Sequence, residues 1–173
     1  MKTLIEYILL EKKEDKKKDK IVESFIKFVN IETKSELMNL LKEHDSNVKS
    51  KTGFWIFDEA IEKDKEQANI GEKETDIKYV EVKYQGKTAG LISYYLDYPE
   101  TKIKPSLYIC NIQSLEDEDD FLKHYFKYLE NIAKSTTKRY IVIKPYEKDL
   151  IKKYKKHKFK KSSKEKDIMF KEL

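Results

Sequence analysis

A chain of 173 residues can bury one substantial core and is short for two ordinary domains, so residues 1–173 are read as a single domain. Charged side chains make up 40% of it, yet 37 basic against 32 acidic residues leave a formal charge of only +5, a mixed and well-solvated surface rather than a polycation. Arg139 is the only arginine, which argues against base-specific DNA reading, and the lone Cys110 excludes an internal disulfide framework or a cysteine metal cluster.

In chain order, Thr3–Leu10 is short, apolar and partly β-branched, and reads as a first strand. No apolar run approaches the ~20 residues a membrane helix needs, and charge follows this segment in place of a small-residue cleavage site. A cytoplasmic protein with no membrane insertion is therefore expected. Ile21, Val22, Phe25, Ile26 and Val29 recur at helical spacing and predict an amphipathic helix. Thr33 and Glu36 stand three apart ahead of Leu37, Met38, Leu40 and Leu41; hydroxyl and carboxylate at that spacing satisfy each other's exposed amides, so a second helix starts there. Between Asn47 and Asp76 only the apolar knot Phe54–Phe57 interrupts what reads as loop.

Tyr79–Tyr84 and Ala89–Tyr95 flank a short turn containing Gly86 and predict a β-hairpin. Pro99 and Pro105 bracket a turn, and the almost continuously apolar Leu107–Ile112 reads as a central strand buried on both faces. Five carboxylates, Glu116–Asp120, then precede Phe121, Leu122, Tyr125, Phe126, Leu129, Ile132 and Ala133, which keep helical period for more than three turns. Tyr140–Ile143 is the next strand, stopped by Pro145. A lysine-rich helix with Leu150, Ile151 and Tyr154 on its apolar side runs to about His157, and Phe159 with Ile168–Phe170 completes a final hairpin. The strand–helix–strand passage from Leu107 to Ile143 requires a crossover, so those two strands are expected to be parallel neighbours among antiparallel hairpins. The fold class is α/β (α+β): a mixed, mostly antiparallel sheet flanked by helices.

Two passages carry a resemblance. Tyr154-Lys155-Lys156-His157-Lys158-Phe159, followed by a hairpin ending Ile168-Met169-Phe170-Lys171, is similar to the "YekxGF" and closing strand of the GNAT N-acetyltransferases. Tyr125–Lys134 resembles the helix after that family's acetyl-CoA loop. The resemblance implies a GNAT-like acyl-CoA N-acyltransferase fold, acetyl-CoA as cofactor and transfer of an acyl group to an amine. It implies a splayed pair of parallel strands for the pantetheine arm, and helix-start amides for the pyrophosphate. The cofactor-binding positions would then be Ile112, Gln113, Ser114, Asp120 and Phe121. Where the family pattern has R/Q-x-x-G-x-G/A, Ser114–Asp120 has no glycine, and its carboxylates repel a diphosphate.

Tyr154 matches the family tyrosine that protonates the departing thiolate, with a tyrosine packed in the core as the alternative. Glu81 is the candidate base for the acceptor amine, with Asp97 as a second choice. His44, His124 and His157 form no metal spacing and are read as surface residues, and Cys110 as a small buried hydrophobe. The acidic segment leaves a second reading open: a catalytically inactive GNAT-fold interaction protein binding a macromolecular partner through its charged faces. The lysines between Lys152 and Lys166 leave a third, nucleic-acid binding.

Overall fold

The computed structural model describes residues 25–33, 35–43, 77–115, 118–145 and 148–173. The strand expected at Thr3–Leu10, the Phe54–Phe57 knot and His44 lie outside them. The described elements are β1 (Ile26–Ile31), α1 (35–43), β2 (Ile77–Tyr84), β3 (Lys87–Leu96), β4 (Ser106–Ser114), α2 (Glu118–Ser135), β5 (Tyr140–Ile143), α3 (Lys148–Lys156), β6 (Lys160–Lys161) and β7 (Met169–Glu172). The strands form one seven-stranded sheet in the order β1-β2-β3-β4-β5-β7-β6. Every neighbour is antiparallel except β4 and β5, which run parallel as the crossover through α2 requires.

Ile26 and Val29 belong to a strand, which corrects the helix expected there. Their spacing fits a helical stripe, but burial alternates in β1: Ile26 and Phe28 are half-buried while Lys27 and Val29 are exposed. Six residue pairs join β1 to β2, and the Phe28 ring stacks on Tyr128 of α2 with centroids 4.1 Å apart and planes 6° from parallel. A ladder and an aromatic partner outweigh what an amphipathic stripe offers a stretch this rich in β-branched and aromatic residues.

The capping box forms as read. The Glu36 amide donates to Thr33 Oγ1 at 3.2 Å, and the Thr33 amide donates to Glu36 Oε2 at 3.2 Å. The β2–β3 hairpin closes on Gln85 (φ 51°) and Gly86 (φ 81°), two consecutive left-handed residues that match the right-handed twist of the strands.

α2 and α3 cover one face of the sheet. Their Tyr125, Phe126, Leu129, Leu150 and Tyr154 pack on Val80, Ile92, Leu107, Ile109, Ile141 and Met169. α1 covers part of the other face through Leu37, Leu40 and Leu41 on Leu91 and Leu115. A smaller cluster of Ile103, Val142 and Ile168 closes that face beside β5. None of the described helices is long and apolar enough to cross a membrane.

Candidate active site

The sheet is interrupted at its only parallel pair. β4 and β5 pair from Ser106↔Tyr140 to Ile109↔Ile143 and no further, although β4 continues to Ser114. On its other side β4 stays on β3, with Ser93 opposite Asn111 and Tyr94 opposite Ile109, so Cys110 is the extra residue of a β-bulge. A bulge bends and over-twists its strand. It falls at the first residue beyond the β5 ladder, so the parallel pair parts there; this parting is the notch referred to below. The stretch 110–114 of β4 lies past the end of the β5 ladder and keeps its pairing with β3. Cys110 itself is half-buried, not fully buried as expected, with Sγ 4.0 Å from the Tyr108 carbonyl. Burial pushes the neighbouring Tyr108 hydroxyl up to about 12, so it stays protonated.

The far end of β4 is tied down by a contact the sequence did not announce. The Leu115 amide donates to the Ala89 carbonyl at 2.7 Å. Tyr125, fully buried on α2, brings its hydroxyl 3.3 Å from Ser114 Oγ and 3.4 Å from the Ala89 carbonyl. Gly90 makes room for this: a Cβ there would stand 2.4 Å from the Gln113 carbonyl oxygen and 2.6 Å from the Tyr125 hydroxyl. A glycine inside a strand is the usual mark of such close approach.

Of the expected cofactor positions, Ile112 pairs with Ile92 and packs on the main core, and Ser114 meets Tyr125. Gln113 lies opposite Leu91 on the α1 face, 5% exposed, and its Oε1 has no hydrogen-bond partner. Asp120 is in the first turn of α2, which starts at Glu118 and so takes in the end of the acidic segment. The Phe121 ring sits edge-on to Tyr84 at 5.4 Å. Ile112 and Phe121 therefore lie on the α2 face of the sheet and Gln113 on the α1 face.

Tyr154 and Glu81 are not brought together. Tyr154 is 4% exposed, its ring edge-on to Phe126 at 5.7 Å and 6.0 Å from Phe159, on the α2 and α3 face. Glu81 lies across the sheet, opposite Leu91 under α1, where its carboxylate accepts from the Thr88 hydroxyl at 2.6 Å and pairs with Lys83 at 3.3 Å. It lines a cleft of about 920 Å³ together with Glu36, Asn39 and Glu43 of α1. Asp97 sits at the opposite end of β4 from the notch. There its Oδ1 accepts from the Ser106 amide at 2.9 Å and its other oxygen contacts Lys138. His124 is buried against the sheet rather than exposed as expected, 7% accessible, because it falls on the inward side of α2 beside Tyr125. His157 is half-buried, 5.0 Å from the Phe126 ring. Among the described residues no group of His, Cys, Asp or Glu is placed to hold a metal ion.

Solved structures share this fold. PseH N-acetyltransferase of Campylobacter jejuni in complex with acetyl coenzyme A superposes with a TM-score of 0.51 at 15% identity, over 86% of this chain and 99% of that one. PaiA N-acetyltransferase of Thermoplasma acidophilum in complex with coenzyme A gives 0.54 at 14% identity over 86% and 99%. A GNAT-family acetyltransferase of Desulfovibrio desulfuricans gives 0.60 at 13% identity over 85% and 98%. The fold is that of the GNAT acyltransferases. No family model matches the chain, and no curated protein matches its sequence.

The turn after α3, the one that resembles "YekxGF", closes without a glycine. The Phe159 amide reaches the Tyr154 carbonyl at 3.2 Å and the Lys158 amide the Lys155 carbonyl at 3.0 Å, a Schellman ending with Lys158 left-handed at φ 71°. Phe159 is thereby turned inward onto Tyr154 and Phe126. α2 ends the same way: Lys138 reaches Ala133 at 2.7 Å and Thr137 reaches Lys134 at 3.1 Å, with Thr137 at φ 57°.

Proposed function

We propose that the chain is an acyl-CoA-dependent N-acyltransferase, transferring an acetyl or other acyl group to an amine. The observation that carries this reading is the notch: a parallel pair that parts after four residue pairs, with a bulge at the point of parting and a length of β4 beyond it that β5 does not pair. An extended ligand with amide groups can pair with such a stretch as an added strand would, and the pantetheine arm of CoA has two amides. The solved GNAT structures that bind acetyl coenzyme A and coenzyme A support the same ligand here. The carboxylates of Glu116–Asp120 fit the diphosphate less well.

The cofactor supplies an activated acyl thioester, and the rest falls to this chain. The stretch 110–114 of β4, past the β5 ladder, would hold the arm in extended form and orient it toward the acceptor, so that orientation provides much of the rate. Tyr154, packed against Phe126 and Phe159, would donate the proton the leaving sulfur requires. Glu81 would serve as base only for an acceptor long enough to reach under α1, because β3 lies between it and β4.

The test is a thermal melt in CoA and acetyl-CoA, followed by assay of acyl transfer to a panel of amines. Binding to the native state must raise the melting temperature; no shift at millimolar CoA removes the reading. Tyr154→Phe is expected to lower kcat by about 10²-fold, the usual contribution of a general acid, with little change in KM. An unchanged kcat removes Tyr154 from the mechanism.

A further inference from the structure

Charge is distributed unevenly around the mouth of the notch. β4 and β5 are parallel, so the segments that follow them, leading into α2 and α3, emerge at the same end of the sheet. The first is the carboxylate run Glu116–Asp120. The second opens the last thirty residues, 144–173, which hold twelve lysines against five carboxylates. By sequence, then, a phosphate is opposed by the charge that follows β4 and favoured by the charge that follows β5.

The β5 side also has a receptacle. A cavity of about 370 Å³ lies between the end of β5, the start of α3 and the tip of the β6–β7 hairpin. Lys144, Lys148 and Lys161 line it together with Ile151 and Met169, and Asp167 is the one carboxylate among the described residues of its wall. None of the three lysines makes an ion pair with a described residue, whereas Lys83, Lys138, Lys152 and Lys171 all do. Three like charges gathered around one cavity repel each other, and a multivalent anion relieves that repulsion.

The geometry points to Lys144, Lys148 and Lys161 as a phosphate-binding site; resting on the reading above, it takes the phosphates of CoA in place of the glycine loop this chain lacks. The ligand's nucleotide end is thereby displaced toward β5 and α3, while its arm still enters the notch. The same site accepts a free pyrophosphate, or an acceptor substrate bearing phosphate.

The experiment is calorimetric titration of the full chain and of the triple variant Lys144→Gln, Lys148→Gln, Lys161→Gln with CoA, pantetheine and pyrophosphate. A second triple variant, Lys27→Gln, Lys78→Gln, Lys134→Gln, changes the net charge equally on exposed positions away from the cavity. The site predicts that the first variant loses CoA and pyrophosphate affinity by about tenfold, as three partly screened contacts would give, and keeps its pantetheine affinity. The second variant is expected to keep all three, and all three proteins to melt within a few degrees of one another. CoA binding unaffected by the first variant, or weakened equally by both, overturns the site and leaves the acyltransferase reading standing. Lysine-dependent pyrophosphate binding without CoA binding does the reverse, and absence of both overturns both.

Discussion

Replacing Gly90 by alanine puts the packing at the end of β4 under direct test. In an ordinary strand this change is favourable by roughly 0.5–1 kcal/mol, since alanine loses less backbone entropy. Here the new methyl would lie 2.4 Å from the Gln113 carbonyl oxygen and 2.6 Å from the Tyr125 hydroxyl, well inside van der Waals contact. Neither group yields easily. The carbonyl belongs to the β3–β4 ladder and Tyr125 is fully buried, so relief needs a backbone shift of several tenths of an ångström. Overpacking of this kind costs about 2–3 kcal/mol, which outweighs the entropic gain. In a domain of this size that lowers the melting temperature by roughly 5–10 °C. Adding Tyr125→Phe removes one of the two clashes for the loss of two long hydrogen bonds, so the double variant is expected to recover part of the loss and to be non-additive. Thermal and urea denaturation of the four proteins measure this; a Gly90→Ala variant that melts at or above the parent refutes the packing described. The same variant should weaken CoA binding, because the displaced strand end is where β4 hands over to α2.

The two left-handed helix endings predict gains. Lys158→Gly should stabilise the fold by about 1 kcal/mol, and Thr137→Gly by somewhat more because a β-branched residue tolerates positive φ poorly; both are read as increased melting temperature, with the alanine variants showing no gain. Asp97 has its carboxyl held below the ordinary 3.8 chiefly by the hydrogen bond from Lys138. A lowered folded-state pKa contributes stability above the unfolded value and loses it as pH falls through the folded one. Asp97→Asn keeps an acceptor for the Ser106 amide but not the charge, so its deficit against the parent in urea melts should be present at neutral pH and vanish in acid; a deficit constant with pH contradicts this.

What the sequence made legible was local or enforced by connectivity. Thr33 and Glu36 announced the start of α1 because a capping box is complete within four residues. Gln85-Gly86 announced a hairpin, and the distance from Ile112 to Tyr140 forced a crossover and hence the parallel pair. β1 was misjudged because Ile26 fits a helical stripe with Val29 and a strand alternation with Phe28, and the choice was made by Tyr79–Tyr84 and Tyr128, about fifty and a hundred residues away. The notch itself left little trace. Pro145 marked the end of β5, but the bulge at Cys110 carries no glycine or proline and is set by register against β3. Tyr154 was placed on the correct face of α3 by its spacing. That Glu81 would lie across the sheet from it followed from strand order, which no local pattern encodes.

Amide hydrogen exchange along β4, with and without CoA, tests the notch most directly. Exchange of the amides of 110–114 that point away from β3 should slow at least tenfold when CoA is bound, while Leu107–Ile109, already paired to β5, change little. CoA binding that leaves those amides unprotected, or that protects only residues remote from β4, would contradict the account.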